Sequence, residues 1–87
     1  MAHVLVRHKV ADFAKWKKSY NTHAPSRKQA GLKEAGLWRN QQDASEVFIL
    51  FKAASLAKAK KFAGSEDLKA AMQTAGVVDK PDLYFLK

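Results

Sequence analysis

The first segment of the chain alternates between side chains that favour a protein core and side chains that favour water. Successive side chains of an extended chain point to opposite sides, so residues 3–10 predict a strand with two different faces. One face holds Val4, Val6, His8 and Val10, and the other holds His3, Leu5, Arg7 and Lys9. We therefore expect His8 to share its side of the sheet with the valines.

The next segment changes from strand spacing to helix spacing. Asp12 precedes it and is positioned to cap its first turn by accepting a free backbone amide. Six side chains then follow in steps of three and four residues, which places them on one stripe of a helix. They are Phe13, Trp16, Tyr20, His23, Arg27 and Ala30. Pro25 lies within this segment, so we expect an interrupted or kinked helix that ends near Gly31.

Three further segments have the composition of strands. Residues 32–43 predict a second strand, best placed at about residues 37–42, and a turn over residues 42–45 leads to a third strand over residues 46–53. The last strand is expected over residues 83–86. The third and fourth strands carry apolar side chains on both faces, which is typical of strands that are covered on both sides.

A second helical section lies between the third and fourth strands. Ser55 is positioned to cap a helix that Gly64 ends, and Ser65 is positioned to cap another helix that Gly76 ends. Their apolar side chains recur at helical spacing, so we expect these residues to face inward. They are Leu56, Ala59, Phe62, Ala63, Leu68, Ala71, Met72 and Ala75.

The order of the elements, β-α-β-β-α-β, predicts an α+β fold of the ferredoxin-like type. Such a fold has a four-stranded antiparallel sheet with both helical sections on one face. Because 87 residues are few for more than one core, we expect a single domain over residues 1–87.

The predicted helices cover only one face of the predicted sheet. The other face would carry apolar side chains from residues 46–53 and 83–86 together with Leu5. Monomeric soluble proteins avoid exposing so large an apolar patch, so we expect a homodimer that pairs through its sheet faces. In the alternative, loops or a bent tail of the same chain cover this face.

The charge is strongly positive and uneven along the chain. Sixteen Lys and Arg stand against eight Asp and Glu, and residues 1–33 hold eight basic residues against Asp12 alone. A basic surface favours nucleic acid or an anionic substrate. No nucleic-acid-binding motif is present, however, and the aromatic residues follow core spacing rather than alternating with basic ones. Nucleic-acid binding is therefore the least favoured function.

Several classes of protein are excluded by what the sequence lacks. There is no cysteine, which excludes disulfide scaffolds and thiolate metal sites and is typical of a cytoplasmic protein. The first apolar run ends at Arg7, too early for a secretory signal, and no run approaches the ~20 residues of a membrane span. Three scattered histidines do not have metal-ligand spacing, and no cofactor-binding motif is present. We expect no metal, cofactor or membrane partner.

The pattern resembles the dimeric α/β-barrel superfamily of ferredoxin-like domains, which includes antibiotic-biosynthesis monooxygenases, haem-degrading monooxygenases, stress-responsive barrel proteins and cyclase-like proteins. The resemblance covers nearly the whole chain. It depends on the strand order and on residues 12–16, His23, Arg27, Gly31, residues 62–72 and residues 75–77. It implies a small monooxygenase-like or cyclase-like member whose ligand binds between sheet and helices.

One branch of this superfamily degrades haem and uses Asn, Trp and His together. This chain holds Asn21, Trp38 and His23, but its sequence does not assign these three residues to the positions of that motif. Haem degradation is therefore not the favoured activity.

The candidate ligand site continues the stripe of the first helix. Arg27 would bind a carboxylate, phenolate or enolate oxygen, and His23 would act as a general base or hydrogen-bond donor. His8 would face the same space, and Tyr20 and Trp38 would supply an aromatic wall for a planar ligand. The ligand-binding prediction thus comprises His8, Tyr20, His23, Arg27 and Trp38.

A structural interpretation stays open for each of these side chains. His23 and Arg27 would then lie at the rim, where they cap a helix or pair with Asp43 or Glu46. His8 would be a hydrogen-bonded histidine of the sheet, and Trp38 would belong to the core or to the dimer interface.

The favoured function is a small homodimer that binds an apolar or aromatic metabolite, with cofactor-independent monooxygenase or cyclase-like chemistry as its catalytic form. A non-catalytic interaction or stress-associated domain is the alternative. Nothing in the sequence specifies the substrate or decides between an enzyme and a binding protein.

Overall fold

The computed structural model describes residues 2–87 and contains four strands and four helices over that range. In chain order they are β1 (Ala2–Lys9), α1 (Phe13–Thr22), α2 (Ala24–Gln29), β2 (Leu32–Arg39), β3 (Glu46–Ala53), α3 (Leu56–Ala63), α4 (Glu66–Ala75) and β4 (Asp82–Leu86). Each helical section is thus a pair of short helices between two strands.

The strands form one antiparallel sheet in the order β2-β3-β1-β4. In the register of the sheet, Val4 of β1 lies opposite Phe51 of β3 and Phe85 of β4. The two central strands of the sheet are therefore β1 and β3, the first and third strands of the chain, which is the arrangement of the ferredoxin-like fold. The predicted α+β fold is confirmed.

The helix-facing side of the sheet forms the core. Because side chains alternate along a strand, the register places one set of β1 and β3 residues under the helices. This set and the residues packed with it are Val4, Val6, Val10, Trp16, Val47, Ile49, Phe51, Ala53, Ala59 and Ala75. His8 lies on the same face and is the single buried charged or polar residue among residues 2–87. The predicted placement of His8 among the valines is confirmed.

The helices begin and end where the capping residues predict. The side chains of Asp12, Ser55 and Ser65 accept hydrogen bonds from the backbone amides of the first turns of α1, α3 and α4. Gly76 ends α4 in the left-handed conformation, with φ of 82°, which glycine adopts without steric cost.

The predicted interruption of the first helix occurs at His23, two residues before Pro25. Pro25 lies in the first turn of α2, where the backbone amide that proline lacks would have no partner within that helix. The helical section is therefore interrupted ahead of the proline. His23 is both the C-cap residue of α1 and the N-cap residue of α2.

The second strand lies within the predicted region of residues 32–43, but its preferred placement over residues 37–42 is wrong. The strand runs over Leu32–Arg39 and contains an irregularity between Glu34 and Gly36. Its first half is largely polar and a glycine follows at its fifth position, so it lacks the pattern of a strand. The turn also begins earlier, because the Asn40 amide donates to the Glu46 carbonyl at 2.9 Å and closes the hairpin there.

Within residues 2–87, none of the helices is long and apolar enough to cross a membrane.

Candidate functional site

A cavity of about 90 Å³ lies between the helices and the sheet. Its floor is the helix-facing side of β1 and β3, including Val6 and Ile49, and α3 and α4 close it with Phe62 and Met72. Almost all of the lining is apolar, which suits an apolar or aromatic ligand.

Four of the five predicted ligand-binding residues line this cavity: His8, Tyr20, His23 and Arg27. They come from β1, α1, the α1–α2 junction and α2, so the fold brings together residues that are up to 19 positions apart in the chain. Ser19 is a further polar residue of the lining.

His8 occupies the sheet side of the cavity. Its side chain packs edge-on against Trp16, with 5.5 Å between ring centroids, and the residue is 3% exposed. Neither ring nitrogen has a hydrogen-bond partner among residues 2–87. Burial lowers the pKa of His8 from its ordinary value of 6.5, against an opposing effect of the nearby Asp79 carboxylate. The imidazole is therefore held in its neutral form.

An aromatic row follows α1 along the cavity. Trp16 stacks on Tyr20 with 4.9 Å between centroids, and Tyr20 lies 6.5 Å from Phe51 of the sheet. This row provides the flat wall that the sequence analysis expected from Tyr20 and Trp38.

Arg27 is bound to Tyr20 in two ways. Its guanidinium lies 3.7 Å from the centroid of the Tyr20 ring, and its Nη1 donates to the Tyr20 carbonyl at 2.8 Å. The Tyr20 hydroxyl in turn donates to Glu34 at 2.7 Å. Burial lowers the pKa of Arg27 and raises that of Tyr20, to which the hydrogen bond to Glu34 adds. Tyr20 therefore keeps its proton at neutral pH, and Arg27 stays charged despite the shift because the ordinary pKa of a guanidinium lies far above neutral pH.

His23 lies at the helix junction, beside Phe62, with 5.9 Å between their ring centroids. Its Nε2 is buried and makes no hydrogen bond within residues 2–87, and the closest acid is Asp67, 3.7 Å away. That distance exceeds hydrogen-bond length, and the contact is an ion pair only if His23 is protonated. The ring nitrogen is therefore without a hydrogen-bond partner.

The alternative partners of His23 and Arg27, Asp43 and Glu46, are engaged elsewhere. Arg7 forms an ion pair with Glu46 at 2.7 Å, and Lys9 lies 3.4 Å from Asp43. Both pairs lie at the end of the sheet where β1 runs out, far in sequence from α2. The pairing expected under the structural interpretation is therefore not found, but the capping is: Arg27 donates to the Tyr20 carbonyl in the last turn of α1, and His23 lies at the cap position between α1 and α2.

Trp38 does not lie at the cavity, which corrects its predicted position in the aromatic wall. In the register it lies opposite Phe48 and not beside the cavity-lining Ile49, so its side chain points away from the helices. The residue is 55% exposed and its side chain folds over Gly36, where an added Cβ would clash with the indole. The irregularity in β2 was not visible in the sequence, and it sets which face Trp38 takes.

The fourth helix contributes a wall that the sequence analysis did not assign to the site. Leu68, Ala71 and Met72 line the cavity from α4. Their helical spacing predicted that they face inward, but a core contact and a cavity wall have the same pattern. The two could be separated only once the gap between α4 and the sheet was known.

The basic first third of the chain is partly engaged in internal contacts. Arg7 and Lys9 pair with acids, and Arg27 lies against Tyr20. These contacts remove three of its eight positive charges from a free basic surface. Within residues 2–87, no three His, Asp or Glu side chains are grouped as they would be around a metal ion.

The architecture and the position of the cavity define a ferredoxin-like domain with a space between sheet and helices. Solved structures with this fold include two candidate antibiotic biosynthesis monooxygenases. That of Caulobacter crescentus is 23% identical, with a TM-score of 0.73, and the match covers 98% of this chain and 86% of that chain. That of Bordetella bronchiseptica is 12% identical, with a TM-score of 0.81 and coverages of 99% and 94%.

A NIPSNAP domain protein from Burkholderia xenovorans is also similar, with 12% identity, a TM-score of 0.68 and coverages of 100% and 93%. No protein-family model and no curated protein matches the sequence. At these identities the likeness establishes the fold, which is the one that the sequence resemblance implied, and it leaves the activity to the site itself.

Proposed function

We propose that the protein is a homodimer that binds a small apolar or aromatic metabolite in the cavity between its helices and its sheet. The observation that carries this proposal is the convergence of His8, His23 and Arg27 on a space whose lining is mostly apolar. Such a combination, in which a few polar groups orient a ligand held by apolar contacts, is characteristic of small-molecule sites.

The lining also favours a planar ligand. The row of Trp16 and Tyr20 offers ring faces, and a flat ligand gains most from contact with them. The cavity is smaller than the roughly 150 Å³ that holds benzene in a well-studied case. A ring would therefore extend toward the half-buried residues His23 and Arg27 at the mouth.

The catalytic form of the proposal is cofactor-independent monooxygenase or cyclase-like chemistry. The structural relatives suggest the first of these through their names. His23 is the group best placed to accept a proton from a substrate, because it lines the cavity and its Nε2 has no hydrogen-bond partner.

The homodimer follows from the face of the sheet that the helices leave uncovered, which we call the open face. Its apolar side chains are Leu5, Trp38, Phe48, Leu50, Tyr84 and Leu86. Trp38, Tyr84 and Leu86 are 55%, 53% and 42% exposed in the single chain. Contiguous apolar residues of this size favour association.

The charges around the open face favour a second copy as the partner. One end of the sheet holds Lys33 opposite Lys52. The other end holds the acids that surround Arg7: Glu46, Asp79 and Asp82. A two-fold axis that runs the strands of the two sheets in opposite directions places the basic end of each copy on the acidic end of the other.

A non-catalytic interaction domain is the second candidate, and one observation favours it. The guanidinium of Arg27 is already stacked on Tyr20 and hydrogen-bonded to its carbonyl, which reduces what it offers to an anionic ligand.

A thermal-shift screen of aromatic and polyketide-like compounds tests the proposed function. A ligand selective for the native state raises the melting temperature, and Arg27→Ala with His23→Ala should remove that increase while the dimer stays folded. The exposed Lys58→Ala on α3 is the matched control and should keep the full shift. A screen without any stabilising compound supports the non-catalytic domain instead.

A further inference from the structure

We propose that His8 is the polar anchor of the cavity and binds an uncharged hydroxyl group, so that the ligand is a phenol or an enol in its protonated form. This inference rests on the proposed function, since it specifies the ligand class of the same cavity. A purely structural histidine of the sheet would have hydrogen-bonded ring nitrogens, and those of His8 are not hydrogen-bonded.

The burial of His8 is what makes its two free nitrogens informative. Native proteins pair nearly all of their buried polar atoms, so an unpaired one requires an explanation. The backbone of β1 is fixed between β3 and β4, and the imidazole is held against Trp16. The ring therefore cannot turn to solvent to satisfy its nitrogens, and the cavity is the space that it faces.

The neutral state of His8 limits the groups that can pair with it. A neutral imidazole has one nitrogen that donates and one that accepts. A hydroxyl group both donates and accepts, so it pairs with whichever nitrogen faces it. A carboxylate only accepts and brings a charge into an apolar space, while a hydrocarbon leaves the nitrogens unpaired.

The charged groups around His8 are consistent with an uncharged ligand at this position. Asp79, in the segment before β4, favours a proton on the imidazole, and Arg7 on β1 disfavours it. Both also pair with each other, at 2.9 Å, on the far side of the strand. Arg27, which would be the natural partner of an anion, is held at Tyr20.

The experiment compares three single-ring probes of similar size: phenol, toluene and benzoate. Their dissociation constants are measured by NMR titration of the wild-type protein and two variants. His8→Phe keeps an aromatic side chain but removes both nitrogens. His3→Phe makes the same change on the same strand, where the side chain points to the open face.

We expect wild type to bind phenol about fivefold to tenfold more tightly than toluene, and benzoate most weakly, as one buried hydrogen bond predicts. His8→Phe should remove the preference for phenol over toluene, and His3→Phe should keep it. If His8→Phe does not fold, ¹⁵N spectra of the wild-type imidazole serve instead. Phenol, and not toluene, should shift its ring-nitrogen signals.

Each contrary result has a definite meaning. Equal binding of phenol and toluene overturns the role of His8 but leaves the cavity as a ligand site. The same holds if benzoate binds best, or if His8→Phe keeps the preference. If none of the three probes binds to wild type, the hydroxyl anchor is overturned, and the screen of larger compounds then decides the proposed function separately.

Discussion

The two faces of the sheet are built from the same four strands but differ in what covers them. The helix-facing side is closed by α1 to α4 and holds one buried polar residue, His8, beside a cavity. The open face is rimmed with charge and carries large aromatic side chains that water reaches in the single chain, such as Trp38 and Tyr84. The comparison shows that polarity in the core and hydrophobicity at the surface are the two exceptions that carry information about function.

The largest expected difference between the two faces concerns the two tryptophans of the chain. Trp16 is 3% exposed on the helix side, and its replacement by Ala removes a wall of the core. We expect Trp16→Ala to lower the free energy of unfolding by about 3–5 kcal/mol. Trp38→Ala on the open face should cost the monomer less than about 1 kcal/mol. Urea unfolding at low protein concentration measures both, and equal losses would contradict the difference between the faces.

A charge placed on the open face tests whether a second copy covers it. Leu50 lies at the centre of that face, opposite Leu5. In the dimer Leu50→Glu buries an unpaired charge, which should raise the dissociation constant about 100-fold or more. Sedimentation equilibrium measures the constant, and Lys58→Glu on the exposed side of α3 is the charge-change control. A dimer that survives Leu50→Glu unchanged would assign the interface to another surface.

The pH dependence of stability tests the burial of His8 on the helix-facing side. The pKa of His8 is lowered in the folded protein, so the unfolded chain binds the proton more readily than the native state does. Stability is then full above 6.5 and falls as the pH drops below that value, by at most about 1.4 kcal/mol per pH unit.

Urea unfolding of wild type and His8→Phe at about pH 7.5 and pH 5 measures this effect. The variant should lose less stability between the two values than wild type does. A loss in His8→Phe as large as that of wild type would show that the imidazole is not the titrating group.

The smallest expected effect concerns the two tyrosines. Tyr20 donates a hydrogen bond to Glu34 near the surface of the cavity wall. Tyr20→Phe should therefore lower the free energy of unfolding by about 0.5 kcal/mol. Tyr84→Phe on the open face should leave it unchanged, as thermal unfolding of the two variants would measure. A larger loss from Tyr84→Phe would mean that its hydroxyl has a partner in the dimer.

Local patterns were sufficient to predict most of the fold. Alternation over residues 3–10 determined the face of His8, and the stripe from Phe13 to Arg27 brought Tyr20 and His23 to the same side. These predictions succeeded because they depend on the repeat of a strand or helix, which is fixed by backbone geometry.

The errors fall where the structure depends on contacts distant in sequence. The start of β2 follows from pairing with β3, which recruits the polar residues Lys33 and Glu34 into a strand. The irregularity beyond Glu34 then sets the face on which Trp38 lies. The stacking of Arg27 on Tyr20 likewise depends on the angle between α1 and α2, which no spacing rule specifies.

The two indole N–H signals of a ¹⁵N NMR spectrum test the central claim most directly, because the chain has two tryptophans, one on each side of the sheet. We predict that phenol shifts the Trp16 signal and leaves that of Trp38 in place, and that dilution through the dimer dissociation range shifts Trp38 and leaves Trp16. A ligand that moves only Trp38, or a Trp38 signal that is constant on dilution from dimer to monomer, would contradict the division of the molecule into a ligand side and a partner side.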